Sequence, residues 1–107
     1  MSPKQLFKLI YAPLVRDHLK AIEPKYHSLI RGMIEKQLQF EPNTETTNRK
    51  PLRRSIPFEA DWEIRFGPNN RFRVFYEVNQ EIHQVNILAI GEKKGSHLFI
   101  GGKEFEL

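Results

Sequence analysis

Residues 62–91 read WEIRFGPNNRFRVFYEVNQEIHQVNILAIG, and this pattern decides the fold. Three runs alternate in polarity or are densely apolar, and turn residues bound each of them. That is the signature of an antiparallel meander. Side chains on a strand alternate between its two faces, so each run sorts into two sets. In the first run Trp62, Ile64 and Phe66 point one way, and Glu63 and Arg65 the other. In the second, Phe72, Val74, Tyr76 and Val78 share a face, and Arg71, Arg73, Phe75 and Glu77 share the opposite one. With the apolar sets turned to a core, Arg65 and Arg73 emerge together on an open outer face. The third run, Val85 to Ile90, is apolar at nearly every position, as expected of a central strand covered on both sides.

Working outward, Gln5 to Tyr11 reads as a first strand that pairs beside this third run. Pro13 suits the first turn of a helix, where its missing N–H costs nothing. Leu14, Val15, His18, Leu19 and Ile22 then recur at helical spacing. Pro24 opens a second helix with the stripe Tyr26, Leu29, Ile30, Met33, Ile34 and Leu38. Gly32 inside it costs ~1 kcal/mol relative to Ala, which close packing on the first helix would justify. Residues 41–48 read as an exposed loop, followed by the basic run Arg49, Lys50, Arg53 and Arg54. The tail from Glu92 reads as a short strand or an irregular turn at the sheet edge. The expected fold is α+β in two layers: an N-terminal strand, then a helical hairpin packed on a mainly antiparallel sheet of three to four strands.

With 107 residues the chain has the size of one domain, 1–107, with one modest core. Seventeen Lys and Arg against thirteen Asp and Glu leave a formal charge of +4, which favours polyanionic partners. There is no cysteine, which excludes disulfides, zinc–thiolate sites and thiol catalysis. The four histidines show no metal-ligand spacing, so no metal or other cofactor is expected. His18 falls on an apolar stripe as a core or boundary residue, and His27 and His83 are expected to be exposed. No apolar run reads as a signal peptide or a membrane span, so a cytoplasmic protein with no membrane partner is expected.

Four blocks carry a resemblance: Lys-Pro-Leu at 50–52, Trp-Glu-Ile-Arg at 62–65, Arg-Val-Phe-Tyr-Glu-Val at 73–78, and Ile-Gly-Glu-Lys-Lys at 90–94. In this order and at this length they resemble the RelE/ParE superfamily of bacterial toxins from toxin–antitoxin pairs. The resemblance implies the fold above, a cognate antitoxin as partner, and one of two activities. RelE-like members are ribonucleases that cut messenger RNA, usually in the A site of the small ribosomal subunit. ParE-like members poison DNA gyrase and cut no RNA.

Metal-independent RNA cleavage needs a base for the ribose 2′-OH, cations for the charge building on the phosphorane, and an acid for the leaving oxygen. By the resemblance, Arg73 is the clamp on the scissile phosphate, which suits a planar guanidinium. Arg65 is a second phosphate contact, and Lys93 a further catalytic cation. The plainer alternative for both arginines is an ion pair with Glu63 or Glu77 on the same face. This chain departs from RelE in having Glu63 in place of a Lys, and Phe99 in place of a Tyr. Phe99 cannot transfer a proton but can stack on a base; His97 is a candidate for the acid or base role, and Glu63 is an alternative base when it is not paired with Arg65 or Arg73. Arg49, Lys50, Arg53 and Arg54, with Arg71 and Lys94, complete an RNA-binding set. The leading expectation is therefore a ribosome-associated endoribonuclease, a messenger-RNA interferase that inhibits translation. The alternatives are a gyrase poison without nuclease activity and a degenerate, non-toxic member that binds only RNA or its antitoxin.

Overall fold

A computed structural model of the chain describes residues 6–52 and 59–105. It begins with strand β1 (Lys8–Tyr11) and helix α1 (Val15–Lys20). A 3₁₀ turn (Pro24–Tyr26) leads directly into α2 (His27–Leu38). Six strands follow: β2 (Arg49–Pro51), β3 (Trp62–Phe66), β4 (Phe72–Asn79), β5 (Gln84–Lys94), β6 (His97–Ile100) and β7 (Lys103–Phe105). All seven strands form one sheet. Its continuous order is β2-β3-β4-β5-β6-β7, antiparallel throughout. The chain thus has the expected α+β architecture, with a helical hairpin against a mainly antiparallel sheet, but the sheet is wider than three to four strands.

The centre of this sheet is β5. From Gln84 to Glu92 it pairs with β4. On its other edge β1 takes the first half, in parallel, with Lys8 opposite Gln84 and Tyr11 opposite Ile87. There β6 takes the second half, antiparallel, with Gly91 opposite Ile100 and Lys94 opposite His97. The first strand therefore lies where its apolar sequence placed it. The extra strands come from the tail, where Gly101 and Gly102 (φ +61° and +81°) turn β6 into β7, and from Arg49–Pro51, which pairs with β3 as an edge. An edge strand tolerates Pro51 because its missing N–H can fall on the unpaired side.

The helices cover one face. Val15 of α1 and Ile30, Ile34 and Leu38 of α2 are buried against Ile64, Phe66, Phe72, Val74, Tyr76, Val85, Ile87 and Ile90. Both alternating sets read from the sequence are thereby placed. The Tyr76 hydroxyl, fully buried, donates to the carbonyl of Pro42 at 2.6 Å, so the loop after α2 satisfies the one polar atom of that side chain. Gly32 does not pack on α1: a Cβ there would meet nothing within 4 Å.

The opposite face is not open along its length. Phe75, Ala89, Leu98, Ile100 and Ala60 form a second, smaller core, with Leu52, Leu88 and Phe105 packed against it. A bulge between Phe75 and Tyr76 shifts the β4–β5 register, so both Leu88 and Ala89 serve this face before Ile90 returns to the helix side. Within the described residues no helix is long and apolar enough to cross a membrane.

Candidate nucleic-acid interface

Strand register decides which candidate side chains can act together. Arg65 lies opposite Arg73, and Arg73 opposite Gly91. By alternation Glu63, Arg65, Arg73 and Lys93 share the face away from the helices. Lys50 lies opposite Glu63 on that same face, and is exposed. Lys94 and its partner His97, with Phe99 opposite Glu92, belong to the helix-side face. A single phosphate cannot touch both groups. The sequence reading gathered Arg73, Arg65, Lys93 and His97 around one reacting centre, and the register separates His97 from the arginines.

Arg73 was expected on an open surface, yet its residue is only 3% exposed. Its Nη1 donates to Glu63 Oε1 at 3.0 Å, and Arg65 Nε lies 3.4 Å from the same oxygen. Glu63 is itself buried, while the Arg65 side chain is partly exposed. Arg73 Nε is buried without a hydrogen-bond partner among the described residues. The ion-pair alternative thus describes the resting geometry of both arginines. Glu77, the other carboxylate expected to pair with them, accepts at Oε1 from the Asn86 side chain instead, and has no ion pair with either arginine among the described residues.

Arg49 is removed from the basic patch. It is 4% exposed, and its Nη1 donates to the carbonyls of Glu41 and, at 3.0 Å, Thr44. Nη2 donates to the carbonyl of Gln37 at 3.3 Å and to its side-chain oxygen at 2.9 Å. A guanidinium there satisfies the Gln37 carbonyl in the last turn of α2 and two carbonyls of the loop that follows, near the negative end of the helix dipole. Its terminal nitrogens are spent inside the protein, while its Nε is buried without a hydrogen-bond partner among the described residues. Arg53 and Arg54 lie outside the described residues.

Arg71 also departs from its expected face. Gly67 (φ +85°), Asn69 and Asn70 (both φ +54°) build a tight left-handed turn, and Arg71 leaves it in helical conformation. Asn tolerates such φ values better than most residues. Alternation therefore starts only at Phe72. The Arg71 guanidinium turns to the helix layer, 4.7 Å from the Tyr26 ring centroid, and pairs with buried Glu92. Glu92, through this hydrogen bond first, raises the Arg71 pKa further above its ordinary value.

At the sheet edge, β5, β6 and β7 assemble an exposed cluster. His97 Nδ1 lies 2.9 Å from Glu104 Oε1. The His97 and Phe99 rings are 6.5 Å apart, and Lys94 Nζ sits 5.5 Å from the Phe99 centroid. Sequence reasoning found His97, Lys94 and Phe99 but missed Glu104. The β6–β7 register places Glu104 opposite Phe99, and only recognition of a hairpin at Gly101-Gly102 could have revealed it. A carboxylate at one ring nitrogen orients an imidazole and leaves the other nitrogen for proton transfer.

The remaining histidines are inside or against the protein. His18 Nδ1 accepts from the Ile90 N–H at 3.2 Å, and burial lowers its pKa below 6.5. His27 and His83, expected to be exposed, are half-buried. His27 Nε2 is 2.8 Å from the Ile22 carbonyl, and the His83 ring tilts against Phe7.

No protein-family model matches the sequence, and no curated protein matches it. Among solved structures, the chain is similar to a chain of the toxin–antitoxin complex RelBE2 from Mycobacterium tuberculosis. The TM-score is 0.69 at 20% sequence identity, over 87% of this chain and 98% of the other. The fold is therefore that of a component of a RelBE complex.

Proposed function

We propose that this chain is the toxin of a toxin–antitoxin pair, a metal-independent endoribonuclease that cuts messenger RNA in the ribosomal A site and so stops translation. Its fold, shared with a component of a toxin–antitoxin complex, supports the toxin reading and a cognate antitoxin as partner. The observation that carries the nuclease reading is the exposed edge cluster, where a carboxylate-paired imidazole, a cation and an aromatic ring stand side by side.

In this reading the reaction is a transesterification. His97 Nε2 takes the proton of a ribose 2′-OH, with Nδ1 held toward Glu104. The 2′-oxygen bonds to phosphorus as the bond to the 5′-oxygen breaks, leaving a 2′,3′-cyclic phosphate. The 5′-oxygen takes its proton from the imidazolium or from water. Lys94 offsets the charge that builds on the phosphorane, and the exposed edge of Phe99 supports a flanking base. Lys93 and Lys50, on the other face, contact phosphates further along the strand.

The test adds purified protein to a cell-free translation reaction and maps one reporter messenger by primer extension. Discrete new 5′ ends within the reading frame are expected. His97→Ala should reduce them by about 10²–10⁴-fold, the usual worth of a positioned acid–base group. Unchanged cleavage by a folded His97→Ala chain would remove this site. A second reading, a gyrase poison with no chemistry of its own, is favoured by the internal pairing of Arg73 with Glu63. Intact messenger together with a stalled supercoiling reaction would select it.

A further inference from the structure

We infer that His18 is a latch: its neutral imidazole seats the β6–β7 hairpin, and with it the His97–Glu104 pair, on helix α1, and a proton on the ring releases it. The latch lies at a gap in the sheet. On one edge of β5 the pairing with β1 ends at Ile87, and the pairing with β6 begins at Gly91. Between them no strand of the described residues runs along that edge. The Ile90 N–H falls in this gap and donates to His18 Nδ1 at 3.2 Å, so a side chain from α1 supplies the acceptor that a strand supplies elsewhere. The hairpin turn meets the same residue. A Cβ at Gly101 would lie 3.2 Å from His18 Cδ2, and one at Gly102 would lie 4.0 Å from the Ala21 Cβ at the end of α1. Both glycines of the turn thus rest on the helix.

An imidazole accepts at Nδ1 only while that nitrogen carries no proton. Protonation sets a second donor against the Ile90 N–H and leaves that buried group without its acceptor. Burial lowers the His18 pKa below 6.5, and Asp17 on its own helix opposes. On β5, Glu92 shares the helix-side face but is paired with Arg71. In the turn, Gly101 and Gly102 carry no charge, and Lys103 beyond them is exposed. Release does not detach the hairpin, because β6 stays paired with β5 and Leu98 and Ile100 stay in the smaller core. The outer strand feels it most. Glu104 stands on β7 just past the turn, whereas His97 is held against β5 opposite Lys94. Freeing the turn therefore moves the carboxylate relative to the imidazole that it orients. His18 is in this way a positioning residue for His97, acting through Glu104. That consequence rests on the nuclease reading; the latch itself does not.

The test is native-state hydrogen exchange by NMR, on the wild-type chain and on His18→Asn, between pH 7.5 and pH 5 in low urea. Asn places a non-titrating oxygen near the position of Nδ1. In the wild type, the amides of Ile90 and of residues 100–104 should share one opening that low urea leaves unchanged, apart from the urea-dependent unfolding read at Val74. The ring binds its proton more readily once the latch is open. The opening constant should therefore rise about tenfold per pH unit as the pH falls from ~6.5 toward the lower latched value, and level off below it. His18→Asn should remove that rise. If Ile90 exchanges only through global unfolding, if the turn opens without it, or if the rise persists in His18→Asn, the inference is overturned. Should His18→Asn fail to fold, the wild type decides alone: the levelling-off must coincide with the titration of the His18 ring resonances, and a mismatch refutes the latch. Cleavage of messenger already loaded on ribosomes should fall more steeply below pH ~6.5 in the wild type than in His18→Asn. Equal profiles from two active chains would overturn the positioning role. A latch that opens as described, with messenger intact at every pH, would keep the inference and remove the nuclease reading.

Discussion

Replacing Arg49 with Met separates a structural cation from a nucleic-acid contact. In the folded chain its two terminal nitrogens donate to Glu41, Thr44 and Gln37. Hydrogen bonds from a charged donor each contribute about 1.5–3 kcal/mol. Two of these, at 3.0 Å to Thr44 and 2.9 Å to the Gln37 side chain, have good lengths. Together they set a gross loss of about 3–6 kcal/mol. Removing a buried cation also relieves its desolvation, which offsets several kcal/mol. The net destabilisation should be about 2–3 kcal/mol. In urea that lowers the unfolding midpoint by about 1–2 M. Arg49→Lys should recover little, because an ammonium cannot span carbonyls arranged for a planar fork. Oligoribonucleotide affinity, measured well below the midpoint, should be unchanged. A stable Arg49→Met chain with weakened RNA binding and a shallower salt dependence would refute the reasoning, and would return Arg49 to the surface patch.

The other predictions concern the helix layer. Gly32→Ala should stabilise the chain by about 0.5–1 kcal/mol in urea unfolding, since its Cβ enters open space; a loss would mean that the helices close on one another in solution. His18 must be neutral at Nδ1 to accept from Ile90, and burial lowers its pKa, with Asp17 opposing. Its contribution is therefore present above pH ~6.5, the unfolded value, and is lost as the pH falls from there through the lower folded value. His18→Gln should flatten the difference between midpoints at pH 7.5 and pH 5, and an undiminished difference would assign that dependence to other groups.

The sheet centre was legible because alternation is a local property. Phe72, Val74 and Tyr76 announce one buried face without reference to anything distant. The side chains that went elsewhere did so for reasons that are not local. Arg71 turned over because the asparagines before it adopt left-handed conformations, which shifts where alternation begins. Arg49 reads as one cation in a basic run, and its acceptors are mostly carbonyls, which leave no mark in a sequence. Phe75 looked like an isolated apolar residue among charges until Leu98 and Ile100 arrived from the tail. The Glu63–Arg73 pair was visible as an alternative, but the choice between an ion pair and an exposed clamp depends on burial. The missing hairpin partner, Glu104, depended on reading Gly101-Gly102 as a turn between strands.

The double use of β5 has a consequence for how the chain comes into being. Strand β1 is made before the others, yet among the described residues it pairs only with β5, which begins at Gln84. The helices made after it bury their stripes against strands that begin at residue 62 or later. On a translating ribosome the N-terminal half therefore has no surface to close upon until most of the polypeptide has emerged. Contacts so distant in sequence make closure slow, while the β4–β5 hairpin can form locally as soon as its two arms are free. Pairing of the first strand thus has to wait for the synthesis of β5.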